Sequence, residues 1–438
     1  TVVDQLSIVT QSSKGLWITL NGSSGPGSLG SAELPADADF TLHAHAPGLE
    51  VLNPWLSQPI GFDAGPWQLS ARLVEAGGDL GMENIQAQLG SAATTLLRAT
   101  DGSARIDLDR LDDPGGIQNI DLTLAAVSSD LAMPAGWLNQ SLPAGFALEA
   151  SARLAGNGAE LTLTGGAGTL RHQHLEMAFD GAGVRLHRSE DYQPRGGQAR
   201  LHLRAEDLAS LSDLAGSPLP DLGRLELTAR ASQRDQRIDL RDLAARLTGR
   251  QLDITARGSA RDIAGGREIS LDSTVDHLDI GGLIALLTPA TTPPANLGTL
   301  TGGFKMNASG GGYSLSQLAL ASPASSPLQL RLDGGGNYNA EETWQGEFTL
   351  GFGSDDRALL EALSGLPLAP VGGFMTLAMD PATATLASKT RVGTTELALH
   401  VEASHSEGKL SSLSASLESP LARLRDLGLQ ATGTDEDS

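Results

Sequence analysis

His43 and His45 stand two residues apart, as do His172 and His174. Residues two apart on an extended strand share a face, and that is also the arrangement of a two-histidine metal pair. Neither pair has a third ligand type nearby, so both read as exposed strand histidines. Ser406-Glu407-Gly408-Lys409 has the S-x-x-K spacing of serine acyl-enzymes but lacks the companion S-D-N and K-T-G motifs, and Lys409 is expected in a turn. Asp107 and Asp109 begin like a calcium loop, yet Leu111 stands two further on and the glycine at the sixth position is missing. Gly165-Gly166 and Gly310-Gly311-Gly312 lack the Lys and Ser/Thr of a phosphate loop, and read as hairpin turns. The sequence predicts no catalytic residue, no metal ligand and no cofactor.

The elements that would have to position any site are clearest from Leu201 to Ala260. Leu201, Leu203 and Ala205 alternate with His202, Arg204 and Glu206, the period of a strand with one dry face. A short helical piece follows, capped by Asp207, with Leu208, Leu211 and Leu214 on one side and Gly216, Pro218 and Pro220 ending it. Alternation resumes at Leu225, Leu227 and Ala229, then at Ile238 and Leu240, then at Leu252, Ile254 and Ala256. The unit is a strand, a helical turn and a meander of strands.

This unit recurs. Ala71, Ala152 and Ala229 sit in Ser/Thr-Ala-Arg triplets at mid-strand, and Phe304 and Ala378 continue the series in steps of 81, 77, 75 and 74 residues. Proline-rich exits from the helical turn stand at Pro59, Pro143, Pro218, Pro293 and Pro367. Landmarks in one order at a steady step indicate an array of repeats. The expected divisions are residues 1–36 (tail of a leading repeat), 37–115, 116–195, 196–264, 265–343, 344–410, and 411–438 (the start of a further repeat with an acidic tail). Glycine clusters at Gly115-Gly116, Gly196-Gly197, Gly265-Gly266 and Gly334-Gly335-Gly336 read as turns between these segments.

Aromatic residues make up only 4% of the chain, so the apolar surface is mostly Leu, Ala, Val and Ile spread along strands. The net charge is −22, without a basic cluster, which excludes nucleic acid as a partner. There are no cysteines, which suits an oxidising compartment. The chain begins at Thr1 and runs straight into apolar alternation, so a signal or anchor is expected ahead of it. The apolar run at 281–287 is far shorter than a membrane span.

The acidic residue and leucine at Asp207-Leu208, the exit Pro218-Leu219-Pro220, then Leu222-Gly223 and Leu225-Glu226-Leu227 resemble the repeats of AsmA-like proteins, which with TamB are bacterial envelope proteins of the repeating β-groove type. The resemblance is sharpest over 196–264 and extends from about 38 to 427. It implies a mainly β fold, an elongated curved antiparallel sheet of repeats of about 75–80 residues, each with one short helical turn. It also implies a periplasmic protein tethered to the inner membrane by an N-terminal anchor, which this sequence lacks, and phospholipid transport or outer-membrane assembly, with an outer-membrane partner at the far end.

The alternation leads to the same groove independently. A lone sheet leaves its dry face uncovered, and one short helical turn cannot cover four strands. Either the sheet closes on an aliphatic filling or the face is a trough for phospholipid or another acyl lipid. The groove residues expected from the pattern are Leu122, Leu124, Leu201, Leu203, Leu225, Leu227, Leu252, Ile254, Leu330, Leu332, Leu397 and Leu399. The expectation is a non-enzymatic lipid-binding protein. A secreted or surface-exposed structural or adhesive β-repeat protein is the alternative, but a solenoid would show a coil period of about 20–30 residues.

Overall fold

A computed structural model describes residues 3–12, 15–25, 37–55, 65–91, 95–110, 113–131, 145–188, 194–212, 218–234, 237–263, 268–282, 297–339, 343–406 and 409–419. The fold is mainly β: these residues form 23 strands, and every pairing among them described below is antiparallel. The chain divides into two compact units, one built on 1–206 with 210–219 and 230–236, the other on 207–209, 220–229 and 237–438.

The first unit contains β1 (Val3–Gln11), β2 (Trp17–Ser24), β3 (Asp39–Ala46), β4 (Trp67–Ala76), β5 (Asp79–Gly90), β6 (Thr95–Ile106), β7 (Ile117–Ser128), β8 (Ala147–Gly156), β9 (Glu160–His172), β10 (Leu175–His187) and β11 (Pro194–Ala205). Each pairs with its neighbour in sequence, from β1 with β2 to β10 with β11. β12 (Arg224–Arg234) is divided between the units.

The second unit contains β13 (Arg237–Thr248), β14 (Leu252–Ala260), β15 (Ile269–Asp279), β16 (Thr299–Ser309), β17 (Gly312–Ala321), β18 (Gln329–Tyr338), β19 (Trp344–Ser354), β20 (Val371–Met379), β21 (Thr383–Val392), β22 (Thr395–Ser406) and β23 (Lys409–Glu418). Their ladder runs in the same way, from β13 with β14 to β22 with β23. Among the described residues neither ladder closes on itself, so the sheet is open and not a barrel.

In a meander, the ends of odd-numbered strands lie on one rim and those of even-numbered strands on the other. The longest connections follow β3, β7, β11, β15 and β19, so within each unit they share a rim and recur every fourth strand; those after β3, β11 and β19 carry a helical piece, and two further 3₁₀ turns, Leu108–Arg110 and Pro114–Gly116, lie between β6 and β7. The landmarks Ala71, Ala152, Ala229, Phe304 and Ala378 fall on β4, β8, β12, β16 and β20, the strands that follow these insertions.

The core of each unit sits where an insertion meets the sheet. In the first, the 3₁₀ turn Leu49–Trp55 brings Val51 onto Leu16 and Ala46, with Ile18 and Trp67 against them. Trp67 Nε1 donates to the Gly48 carbonyl at 3.1 Å, fixing the start of this connection. In the second, Val275, Leu300, Leu318 and Leu320 form a buried cluster, with Leu278 and Ile280 packed against it.

The second unit also holds α1 (Arg357–Ser364), whose N-terminus is capped by Asp356, accepting from the Leu359 amide at 3.1 Å. Gly365 ends it in the left-handed conformation at φ 71°. α1 buries Leu359 and Leu360 on one side. The helical piece expected after Asp207 is a 3₁₀ turn, Leu208–Leu211, whose three-residue period accounts for the spacing of Leu208 and Leu211; Leu214 lies outside the described residues.

Several glycine clusters expected as turns lie inside strands. Gly165-Gly166 is in β9, Gly196-Gly197 in β11 and Gly334-Gly335-Gly336 in β18. Gly165, Gly183 and Gly196, on three adjacent strands, have φ of 59°, 83° and 69°, values that bend a strand without ending it. Gly310-Gly311 does form a hairpin turn, and Gly265-Gly266 lies outside the described residues.

Candidate functional site

Alternation along the strands separates two faces. The polar face carries exposed ion pairs: Arg72 bridges Asp39 and Glu83 at 2.8 and 3.2 Å, Arg246 holds Asp253 at 2.7 Å, and Arg331 holds Asp333 at 2.6 Å. Hydrogen bonds from these arginines hold the carboxyls of Asp39, Asp253 and Asp333 below the ordinary carboxylate value.

The apolar face is where the expected groove residues stand. In the first unit Leu124 of β7 lies opposite Ala152, Leu122 opposite Leu154, Leu201 of β11 opposite Phe179 and Leu203 opposite Met177. In the second, Ile254 of β14 lies between Leu247 and Val275, Leu332 of β18 between Leu320 and Leu350, and Leu330 opposite Phe352. Leu399 of β22 lies between Ser388 and Leu417, and Leu397 opposite Thr390. Leu225 and Leu227 alternate with exposed Glu226 and Thr228 on β12. Leu252 is buried opposite Leu278, at 4% exposure, while the other eleven are half-buried.

Half-burial is the informative state. A leucine in the middle of a two-layer protein is dry, whereas these, among the described residues, meet their own sheet. Among the described residues, strands pack substantially only on sequence neighbours, and no second layer covers the middle of either unit's apolar face. Exposure rises toward the sheet edge. Leu318 and Leu320 are 8% and 7% exposed, while Leu413 and Leu417 on β23 reach 64% and 68%.

Sequence reasoning missed an aromatic row on this face. Tyr313, Tyr338 and Trp344 lie directly opposite one another on β17, β18 and β19. Their ring centroids are 6.4 Å and 5.0 Å apart. The hairpin Tyr338 to Trp344, with an aromatic residue at each end, was the available signal.

The residues weighed for chemistry are not brought together. His43 and His45 are exposed on β3, where His45 stacks on Trp17 at 6.0 Å. His172 ends β9 and stacks on Phe146 at 4.4 Å, whereas His174 lies beyond the strand and bonds Glu206 at 2.8 Å, so this pair shares no strand face. Asp107 Oδ1 accepts the Asp109 amide at 3.1 Å in a local turn. Ser406 and Lys409 pair across the β22 and β23 ladder, with Lys409 opening a strand and not in a turn. Among the described residues there is no group of three His, Asp or Glu side chains placed to hold a metal, and no helix is long and apolar enough to cross a membrane. Comparison with protein families, with curated proteins and with solved structures finds no match.

Proposed function

We propose that the apolar face is a binding track for the acyl chains of lipids, and that the protein carries or exchanges lipid without chemical catalysis. The observation that supports this reading is the set of half-buried apolar residues in register on adjacent strands of the second unit, Leu247 beside Ile254 and Leu332 beside Leu350, with no second layer packed over them among the described residues. Adjacent strands lie about 4.8 Å apart, so four strands offer a track of roughly 19 Å.

The energetics fit transfer. Each CH₂ moved from water to an apolar surface gains about 0.8 kcal/mol, so an acyl chain strongly prefers such a face to water. It exchanges with a bilayer at little net cost, because both environments are aliphatic. The resemblance to AsmA-like repeats supports a site of action in the bacterial envelope, between the inner and outer membranes. Phospholipid is the cargo that this setting supplies.

The test is extraction and native mass spectrometry of protein purified from cells without detergent. Acyl lipid should be present in near-stoichiometric or greater amount, and delipidated protein should take up a fluorescent fatty acid. A stable protein that carries no lipid and takes up no fatty acid contradicts the proposal.

A further inference from the structure

A cavity of about 650 Å³ lies beside Leu240 and Arg257, but Arg257 there lies directly opposite Asp272 in the ladder and Arg261 is paired with Glu268. Its charges are largely answered within the protein. The aromatic row differs, because its polar groups have no hydrogen-bond partner among the described residues.

Tyr313, Tyr338 and Trp344 sit at the ends of three adjacent strands, on the rim opposite the helical insertions. They continue the apolar face: Tyr338 is six residues from Leu332 and Trp344 four from Phe348, and both of those pack on the buried cluster of the second unit. Tyr313 and Trp344 are each 55% exposed. Neither tyrosine hydroxyl nor the indole N–H makes a hydrogen bond among the described residues. The whole chain has three tyrosines and five tryptophans, so three such residues in a line is a concentration.

Tyrosine and tryptophan with an apolar ring and a free polar tip suit the boundary between acyl chains and headgroups. A sugar also stacks on aromatic rings, but it needs hydrogen-bonding side chains around them. The positions beside this row on the same face are Ala308, Leu315, Gly336 and Gly346, which offer none. The chain is strongly acidic and has no cation in the row, so an anionic surface would be repelled.

We infer that this aromatic rim docks onto the surface of a zwitterionic lipid bilayer, giving acyl chains a route from the bilayer onto the apolar face. The inference rests on the acyl-track reading for its purpose, while the docking is measurable alone.

The experiment uses the full chain and vesicles of brominated phosphatidylcholine, whose bromines quench tryptophan on contact. Part of the wild-type fluorescence should be quenched, and Trp344→Phe, which keeps an aromatic ring and the fold, should lose that part. Trp17→Phe should keep it. The combined variant Tyr313→Ser, Tyr338→Ser, Trp344→Ser should associate about tenfold less with phosphatidylcholine vesicles.

Uptake of a soluble short-chain phosphatidylcholine, measured without vesicles, separates the two readings. It should persist in the combined variant. If wild type and Trp344→Phe are quenched equally, or wild type ignores the vesicles, the docking inference fails while the track stands. Fluorescence that responds to soluble oligosaccharide and not to vesicles also overturns it. A wild-type protein that takes up no short-chain lipid fails the track reading instead.

Discussion

Arg153 on β8 reaches diagonally across to Asp121 on β7, with Nε donating to Oδ1 at 2.6 Å and a second bond from the same guanidinium to Oδ2. Arg153 lies directly opposite Thr123, two residues from Asp121. One repeat earlier Arg72 lies opposite Thr41 and grips Asp39 at 2.9 and 2.8 Å in the same way. The pair is a register pin: a slip of one residue would turn the arginine onto the apolar face.

The Asp121 carboxyl is held below its ordinary value, first by hydrogen bonds from Arg153 and then by that residue's charge. A lowered folded value means that the contribution is full above the unfolded value of about 3.9, and is lost as pH falls through the folded value. Asp121→Asn should therefore lower the urea midpoint slightly at pH 7, and the gap from wild type should close below about pH 4. Because the pair is exposed, added salt should also narrow the gap. A gap unchanged at pH 2 would contradict this.

Asn84 on β5 stands at φ 52°, inside the register shift between Met82 and Ile85. Asn tolerates this left-handed conformation and a β-branched residue does not. Asn84→Val should cost about 1–2 kcal/mol in urea unfolding, with Asn84→Gly close to wild type. Equal effects from both would remove the bulge from the account.

Leu320 and Leu417 are the same residue type on the same face at opposite extremes of burial. Leu320→Ala should destabilise by about 2–3 kcal/mol, since it opens the cluster around Val275. Leu417→Ala should stay within about 0.5 kcal/mol of wild type, yet reduce fatty-acid uptake. Equal losses of stability would mean that both ends of the face are equally covered.

Strand identity was legible wherever apolar residues alternate without interruption, as at Leu225, Leu227 and Ala229. It was not legible through bulges. Ile238 and Leu240 are followed on the same strand by Leu243, Ala245 and Leu247, an odd step that periodicity alone cannot bridge. Asp242, at φ 49° between Leu240 and Leu243, absorbs the extra residue and returns the leucines to one face. Glycine misled for the same reason, since Gly165 and Gly196 bend strands where composition suggests that they end. The aromatic row needed the register of three strands before Tyr313 and Trp344, 31 residues apart in sequence, could be seen on either side of Tyr338.

Leu399→Asp, compared with His400→Asp on the opposite face, tests the open track most directly. Leu399 is half-buried, between Ser388 and the exposed Leu417. On an uncovered face its carboxylate reaches water whenever lipid is absent, so melting temperature should stay near that of wild type while bound lipid falls sharply. His400→Asp should preserve both. In a closed core the same carboxylate would be buried without a partner, at a cost of several kcal/mol. Loss of the folded state in Leu399→Asp, or a folded variant carrying as much lipid as wild type, would contradict the account.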